Sequence, residues 1–133
     1  MAIAIQSGDL AWINGPFPCG LNSDLTIFRL GLKQQLLPGE RVEADDGYRG
    51  DERCDGPFDY CYSEEQYRSK FTVRARHETI NRRFKQFGIL STRFRHPRGK
   101  HGDIFMAIAV ITQISIRNGN PLFPLNYRTY NGN

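Results

Sequence analysis

The chain has 133 residues, of which 39% are hydrophobic and 24% charged, with a formal net charge of +4 at pH 7. This length suits one domain with a buried core, and nine phenylalanines argue against a disordered chain. The longest apolar run, residues 104–111, is too short to cross a bilayer, and residues 1–5 contain no basic segment of the kind that begins a signal peptide. We expect a single folded domain over residues 1–133, neither secreted nor membrane-bound, in the nucleus or the cytoplasm.

The first elements are predicted to be two short strands and a helix. Residues 3–6 and 10–13 alternate like strands around Ser7-Gly-Asp, which favours a hairpin. Ser23 is suited to cap a helix whose apolar residues recur at steps of three and four until Pro38-Gly39 ends it. The recurring apolar positions predict a face packed in the core: Leu25, Phe28, Leu32 and Leu36.

A third strand is predicted over residues 41–45, directly before a turn. Its alternating pattern runs into Asp-Gly, so Asp45 is placed at the carboxyl end of the strand. Open α/β sheets bind their ligands at that end, which makes Asp45 a candidate site residue. The alternative is that Asp45 and Asp46 simply begin an exposed loop. A brief edge strand is also predicted at residues 57–58.

Charge is divided along the chain into an acidic block and a basic block. Residues 40–65 contain ten Asp and Glu against three Arg, whereas residues 68–101 contain eleven Lys and Arg against Glu78 alone. This arrangement suits a cation site beside a surface that binds a polyanion. The alternative is that two exposed faces of opposite charge attract each other.

Residues 63–87 are predicted to form a helix with an inward-facing apolar stripe. The neighbouring face carries Glu78, with Arg74 one turn before it and Arg82 one turn after it. Glu78 is therefore either an exposed ion-pair residue or a metal ligand presented by a rigid helix. The stripe that packs inward comprises Val73, His77, Ile80, Phe84 and Phe87.

The remaining segments are a basic loop and a last helix. The loop over residues 94–101 favours phosphate contacts, although a solvated charge run has the same pattern. The helix predicted over residues 103–118 is apolar on more than one face, which predicts that it is buried.

Three cysteines are an odd number, so reduced thiols are expected rather than a disulfide framework. Cys54 and Cys61 do not have a usual zinc-ligand spacing, and partly buried thiols are favoured over a structural zinc site. The histidines that could complete such a site are His77, His96 and His101.

Four segments carry a family resemblance. They are Trp12-Ile-Asn-Gly-Pro-Phe-Pro-Cys-Gly20, Arg41-Val-Glu-Ala-Asp-Asp-Gly-Tyr48, Arg76-His-Glu-Thr-Ile-Asn-Arg-Arg-Phe-Lys85 and Lys100-His-Gly-Asp103. Together they resemble the DDE superfamily endonuclease domain of Harbinger-type transposases, over nearly the whole chain. The resemblance implies an α/β, RNase H-like fold, in which helices flank a mixed sheet.

The resemblance also implies which residues carry the chemistry. Asp45 matches the second acid of the family and Glu78 the third, as ligands of Mg²⁺ or Mn²⁺, and Asp46 lies one place past the family's acid. The segment that holds the family's first acid has no counterpart here, so the domain is expected to be partial and truncated at its N-terminus. Neither Asp9, in a hairpin turn, nor Asp24, at a helix start, is expected to replace that acid.

The expected function is metal-dependent cleavage or strand transfer on DNA, with a separate DNA-binding protein as a further partner. Two-metal cleavage needs bridging carboxylates, so little or no activity is expected without the first acid. The alternatives are a non-catalytic DNA-binding relic that keeps the basic face, and a folded protein with no nucleic-acid role. The residues expected near the phosphates are Arg74, Arg82, Lys85, Arg93 and Arg95.

Overall fold

The computed structural model describes residues 1–17, 20–59, 62–125 and Tyr127. These residues form a mixed α/β structure with two two-stranded sheets and four α-helices, which confirms the predicted α/β class. The chain divides into two compact units. Unit 1 comprises Met1–Pro16 and Ala75–Pro124, and unit 2 comprises Phe17–Arg74 and Leu125–Asn133.

Unit 1 begins with the predicted hairpin. Strands β1 (Ala2–Ile3) and β2 (Leu10–Trp12) pair antiparallel, and both are shorter than their alternating patterns suggested. The turn is closed by hydrogen bonds between Ala4 and both Gly8 and Asp9. Gly8 has φ +76°, a conformation that favours glycine. A tight turn therefore joins the first two strands of the unit.

Helices provide most of unit 1. Helix α2 (Glu64–Lys85) crosses the division, with residues 75–85 in unit 1, and is followed by α3 (Gly88–Ser91) and α4 (Lys100–Arg117). The predicted long helices are confirmed with ends shifted by one to three residues. The core combines both helices with the chain after α4: Ile80, Phe84, Ile108, Ala109, Ile116 and Leu122.

A buried arginine joins the segments of unit 1. The Arg76 guanidinium donates to the carbonyl of Ile5 at 2.7 Å and to the carbonyl of Phe123 at 3.0 and 2.6 Å. It also lies over the Phe123 ring, 5.7 Å from the ring centroid. Only 4% of Arg76 is exposed, so these contacts replace its hydration. Arg76 therefore has a structural role and does not belong to an exposed basic face.

The apolar composition of α4 predicted a helix buried on every side, but only one side of it is buried. Ile108, Ala109, Thr112 and Ile116 are buried. The other side exposes large apolar residues to solvent: Met106, Val110, Ile111 and Ile114. The prediction was wrong for this side because apolar residues around a helix do not determine how many neighbours it has.

Unit 2 opens with α1 (Asp24–Leu30), and Ser23 caps it as predicted by accepting from the amide of Thr26. The helix does not continue to Pro38. It ends at Gly31, whose amide donates to Ile27 and Phe28, and a 3₁₀ turn follows over Leu32–Gln35. Glycine weakens a helix interior, which explains the earlier end.

The second sheet lies in unit 2. Strand β3 (Val42–Glu43) pairs parallel with β4 (Cys54–Asp55). The edge strand predicted at residues 57–58 is instead a turn, in which the Asp59 amide donates to the Gly56 carbonyl. A turn precedes β4, in which the Cys54 amide donates to the Asp51 carbonyl, and pairing with β3 begins at Cys54.

No helix in the described part of the chain combines the length and the apolar character that crossing a membrane requires.

Candidate nucleic-acid interface and acidic cleft

Asp45 lies two residues after β3, which ends at Glu43 and is shorter than the predicted strand 41–45, and it caps a short turn. Its Oδ1 accepts from the amide of Gly47 at 2.9 Å, and it precedes the 3₁₀ turn Asp46–Tyr48. A Cβ added at Gly47 would lie 3.1 Å from Asp45 Oδ1 and 3.8 Å from Asp24 Oδ2. The carboxylates of Asp24 and Asp45 therefore approach the same small residue. Sequence reasoning gave Asp24 only the role of a helix-start residue.

A cleft of about 280 Å³ lies beside this turn. Asp45 and Asp46 are exposed, and Asp46 forms an ion pair with Arg49 at 2.9 Å. The lining is mostly acidic and small: Asp45, Asp46, Tyr48, Arg49, Gly50, Asp51, Glu52, Cys54, Gly56 and Asp59. The cleft thus combines one arginine with five carboxylates, three of which already accept hydrogen bonds from backbone amides, at Gly47, Arg53 and Gly56.

Among the described residues that line the cleft, Cys54 and Tyr48 are not activated as nucleophiles. Burial, together with the charges of Asp51 and Asp55, raises the pKa of the Cys54 thiol to about 11. Burial and the charges of Asp24 and Asp45 raise the pKa of Tyr48 to about 12. Both groups are neutral at pH 7, and thiols react as thiolates. Cys19 and Cys61 lie outside the described residues, so the zinc alternative is not tested at Cys61.

Several acids of the predicted acidic block are used inside unit 2. Asp51 is buried and accepts from Arg29 at 2.9 Å and from Lys33 at 2.9 and 3.0 Å. Asp55 is buried and pairs with Arg41. These acids hold the fold together, because a buried carboxylate needs partners in place of water. The acidic block is therefore not one solvated face.

The Asp51 cluster gives a pH-dependent prediction. Burial alone raises the Asp51 pKa, but hydrogen bonds from Arg29, Lys33 and the Arg53 amide outweigh it and lower the pKa to about 2. An unfolded Asp has a pKa of about 3.9. The stabilisation is therefore present above about pH 4 and is lost as the pH falls toward about 2.

We expect Asp51→Asn to lower the free energy of unfolding at pH 7 by about 2 kcal/mol, because two cations lose their charged acceptor. Its stability should also fall less between about pH 4 and pH 2 than that of the unmodified chain. Urea unfolding across this range is the measurement. Asp46→Asn, which removes an exposed carboxylate, is the control, and an equal loss in both variants would contradict the account.

Glu78 lies on α2 within unit 1, and its side chain is exposed. The predicted ion pairs with Arg74 and Arg82 are not formed: among the described residues no cation lies within 4.0 Å of its carboxylate. Glu78 is therefore an accessible acid on the charged side of its helix.

The basic segment, residues 82–100, contains seven Lys and Arg and no acid. Arg83 donates to the backbone carbonyls of Asn120 and Pro121 at 2.6 and 3.2 Å. The other six cations are exposed, and within the described ranges none forms an ion pair. They are Arg82, Lys85, Arg93, Arg95, Arg98 and Lys100.

The division into units also separates charge, although less sharply than the sequence blocks do. Unit 1 contains nine Lys and Arg against three Asp and Glu, a formal net charge of +6. Unit 2 contains nine against eleven, a net charge of −2. The excess positive charge of the chain therefore belongs to unit 1.

The structure treats the five predicted phosphate-binding residues differently. Arg82, Lys85, Arg93 and Arg95 are exposed members of unit 1. Arg74 belongs to unit 2, is partly buried, and its Nε is a buried donor with no acceptor among the described residues. An accessible guanidinium suits phosphate contact better than a partly buried one, so the first four are the stronger candidates.

Aromatic contacts hold part of the basic segment in place. The Phe94 ring makes edge-to-face contacts with His96 at 5.5 Å and with His101 at 4.8 Å between centroids. Backbone hydrogen bonds from Lys100 to Pro97 and from His101 to Arg98 form the turn into α4. Arg93 and Arg95 flank the anchored Phe94.

No group of three or more His, Cys, Asp or Glu side chains among the described residues is placed to hold a metal ion. Asp45 and Glu78 belong to different units. Cation binding by these two residues stays a prediction, and no catalytic step is assigned to a metal here.

The fold and the site define a small α/β chain with an acidic cleft in one unit and a basic segment in the other. No protein-family model, no curated protein and no solved structure matches the chain.

Proposed function

We propose that this chain binds DNA through the basic segment of unit 1. The observation that carries the proposal is the set of six exposed cations over residues 82–100 that form no ion pair in the described part of the chain, in a unit with a net charge of +6. Each cation that neutralises a phosphate releases condensed counterions from the DNA, which provides a favourable free energy at low salt. The chain is a binding module in this account.

The type of contact follows from the residue types. Four of the six exposed cations are arginines, whose planar guanidinium forms two parallel hydrogen bonds with a phosphate. The Phe94 contacts restrict the segment that carries Arg93 and Arg95, so less side-chain and backbone freedom is lost on binding. Contacts of this kind position a protein on DNA without reading its sequence.

A pair of arginine substitutions tests the proposal against a charge-matched control. Arg93→Ala with Arg95→Ala removes two cations from the basic segment. Arg49→Ala with Arg68→Ala removes two exposed cations from unit 2, each of which pairs with an acid. We expect the first variant to bind a short DNA duplex at least about tenfold more weakly at low salt. The slope of the logarithm of its binding constant against the logarithm of salt concentration should also fall in magnitude by about 2.

The control variant should bind within about twofold of the unmodified chain, because its arginines are already paired with carboxylates. Fluorescence anisotropy with labelled duplex at several salt concentrations measures both quantities. Equal loss of affinity in the two variants would assign the effect to total charge and not to the basic segment, which would overturn the proposal.

A second candidate function is metal-dependent cleavage of DNA by a DDE endonuclease domain of RNase H-like fold, of the kind found in Harbinger-type transposases. The observations that favour it are the exposed Asp45, two residues after β3, and the exposed Glu78 on α2. Mg²⁺ and Mn²⁺ prefer oxygen ligands and bind to one or two carboxylates with water completing the shell. A separate DNA-binding protein would supply target choice, and the nucleus would be its place of action.

Cleavage is tested with a supercoiled plasmid in Mg²⁺ or Mn²⁺. If this second function operates, Asp45→Asn and Glu78→Gln each abolish nicking, whereas Glu65→Gln, which alters another exposed acid of α2, leaves it unchanged. Nicking that survives both site substitutions would come from another source. Salt-sensitive binding with no nicking would leave the non-catalytic DNA-binding function alone.

A further inference from the structure

The exposed side of α4 carries an apolar stripe with a charge at each end. Val110 and Ile114 are each 55% exposed, and Met106 is 42% exposed. At about 100° per residue, Asp103 and Arg117 both lie within about 20° of the direction of Val110. An acid, an apolar centre and a base therefore lie in line along about 21 Å of the helix. We call this surface the α4 stripe, and its residues are Asp103, Met106, Ala107, Val110, Ile114 and Arg117.

The charges at the two ends are available for contact. Asp103 is exposed, and no ion pair includes it within the described ranges. Arg117 contacts Asp9 at 3.2 Å through Nε, yet 66% of its side chain is exposed. Its hydrogen bonds to Asp9 use Nε and Nη2, which leaves Nη1 for another acceptor.

We propose that a second copy of this chain covers the α4 stripe, with the two α4 helices packed antiparallel. A twofold axis at Val110 places Val110 against its own copy and Met106 against Ile114 of the other chain. The same axis places Asp103 of each chain against Arg117 of the other chain, which gives two such pairs. In a parallel pair, Asp103 would meet Asp103 and Arg117 would meet Arg117.

The charge pattern selects this occupant. Unlike charges meet at both ends only in the antiparallel arrangement, and like charges repel in the parallel one. The apolar centre and the residues at steps of four and three from Asp103 to Arg117 suit helix-on-helix packing. An interface in which one patch meets itself is the commonest way for a homodimer to form.

The α4 stripe lies outside residues 82–100, so dimerisation is measured separately from DNA binding. Sedimentation of the protein without DNA, over a roughly hundredfold range of concentration, measures the equilibrium. We expect a monomer to dimer transition in the unmodified chain.

Val110→Glu is the central variant, because it brings two carboxylates together on the axis. We expect its dissociation constant to rise by at least about tenfold, with the same helix content by circular dichroism. Phe71→Glu, at another exposed apolar position on a helix, is the matched control and should dimerise normally.

The orientation has its own test. Asp103→Lys should weaken the dimer, whereas Glu65→Lys, with the same change in charge on α2, should not. In oxidising buffer, Met106→Cys mixed with Ile114→Cys should cross-link more than either variant alone, and the unmodified chain provides the background from native thiols. A chain that stays monomeric over the whole range, or an unchanged equilibrium in Val110→Glu, would overturn the proposal. Cross-linking of Met106→Cys to itself alone would overturn the antiparallel arrangement.

Discussion

Arg76→Met is expected to lower the free energy of unfolding by about 3 kcal/mol. The substitution removes the donors that satisfy the carbonyls of Ile5 and Phe123 within unit 1. Hydrogen bonds that involve a charged group contribute about 1.5–3 kcal/mol each, and the contact of the guanidinium with the Phe123 ring is lost as well. Urea unfolding followed by circular dichroism measures the change.

Arg82→Met is the matched control, since Arg82 is exposed on the same helix. We expect it to change stability by less than about 0.5 kcal/mol. Arg76→Lys should recover little, because an ammonium group cannot span the two carbonyls as the planar guanidinium does. A stability of Arg76→Met equal to that of Arg82→Met would show that the buried contacts are not the source of stability.

Lys70→Met is expected to cost about 3–5 kcal/mol through the charge that it leaves behind. Lys70 Nζ donates to Glu43 Oε2 at 2.9 Å and to the Gly56 carbonyl at 3.2 Å, and the two side chains are only 7% and 8% exposed. Tyr127 also donates to Glu43. Without Lys70, the buried carboxylate of Glu43 loses its cation.

A double variant separates this effect from a simple loss of packing. Lys70→Met with Glu43→Leu should recover much of the stability, because no charge stays buried. A double variant that is as unstable as the sum of the single variants would contradict this account.

Local patterns in the sequence predicted the elements that depend on local physics. The apolar spacing around Ile80 and Phe84 identified α2, and Ser23 identified the start of α1. The hairpin was also predicted, because its turn residues are neighbours. In each case the deciding interactions lie within a few residues along the chain.

The spacing of two residues in the sequence indicated structural contacts that the predictions did not include. Arg76 lies three residues after Val73 and four before Ile80, so it occupies the apolar stripe of α2 and was a candidate for burial from the start. Asp45 lies two residues before Gly47, a spacing at which aspartate commonly accepts from the backbone amide. Both residues have structural contacts that charge alone did not reveal.

Long-range pairing accounts for most of what the sequence did not predict. The position of β4 depends on its pairing with β3 and on the Arg41 and Asp55 ion pair, which joins residues 14 positions apart. The Lys70 and Glu43 pair joins residues 27 positions apart. The exposed face of α4 likewise depends on the number of neighbours around the helix, which its composition does not encode.

The fold distinguishes the structural cations of the chain from the exposed cations of the basic segment. Structural cations such as Lys70, Arg76 and Arg83 donate to carboxylate or carbonyl acceptors. The exposed cations of residues 82–100 have none in the described part of the chain. Exposure without a partner therefore separates the candidate DNA contacts from the structural cations.

Amide chemical-shift mapping of the isotope-labelled protein with a short DNA duplex at low salt tests the central claim most directly. The account predicts that the largest shifts lie within residues 82–100, that residues 45–59 around the acidic cleft change little, and that added salt reverses the shifts. Shifts centred on residues 45–59, or no shifts at low salt, would contradict binding by the basic segment.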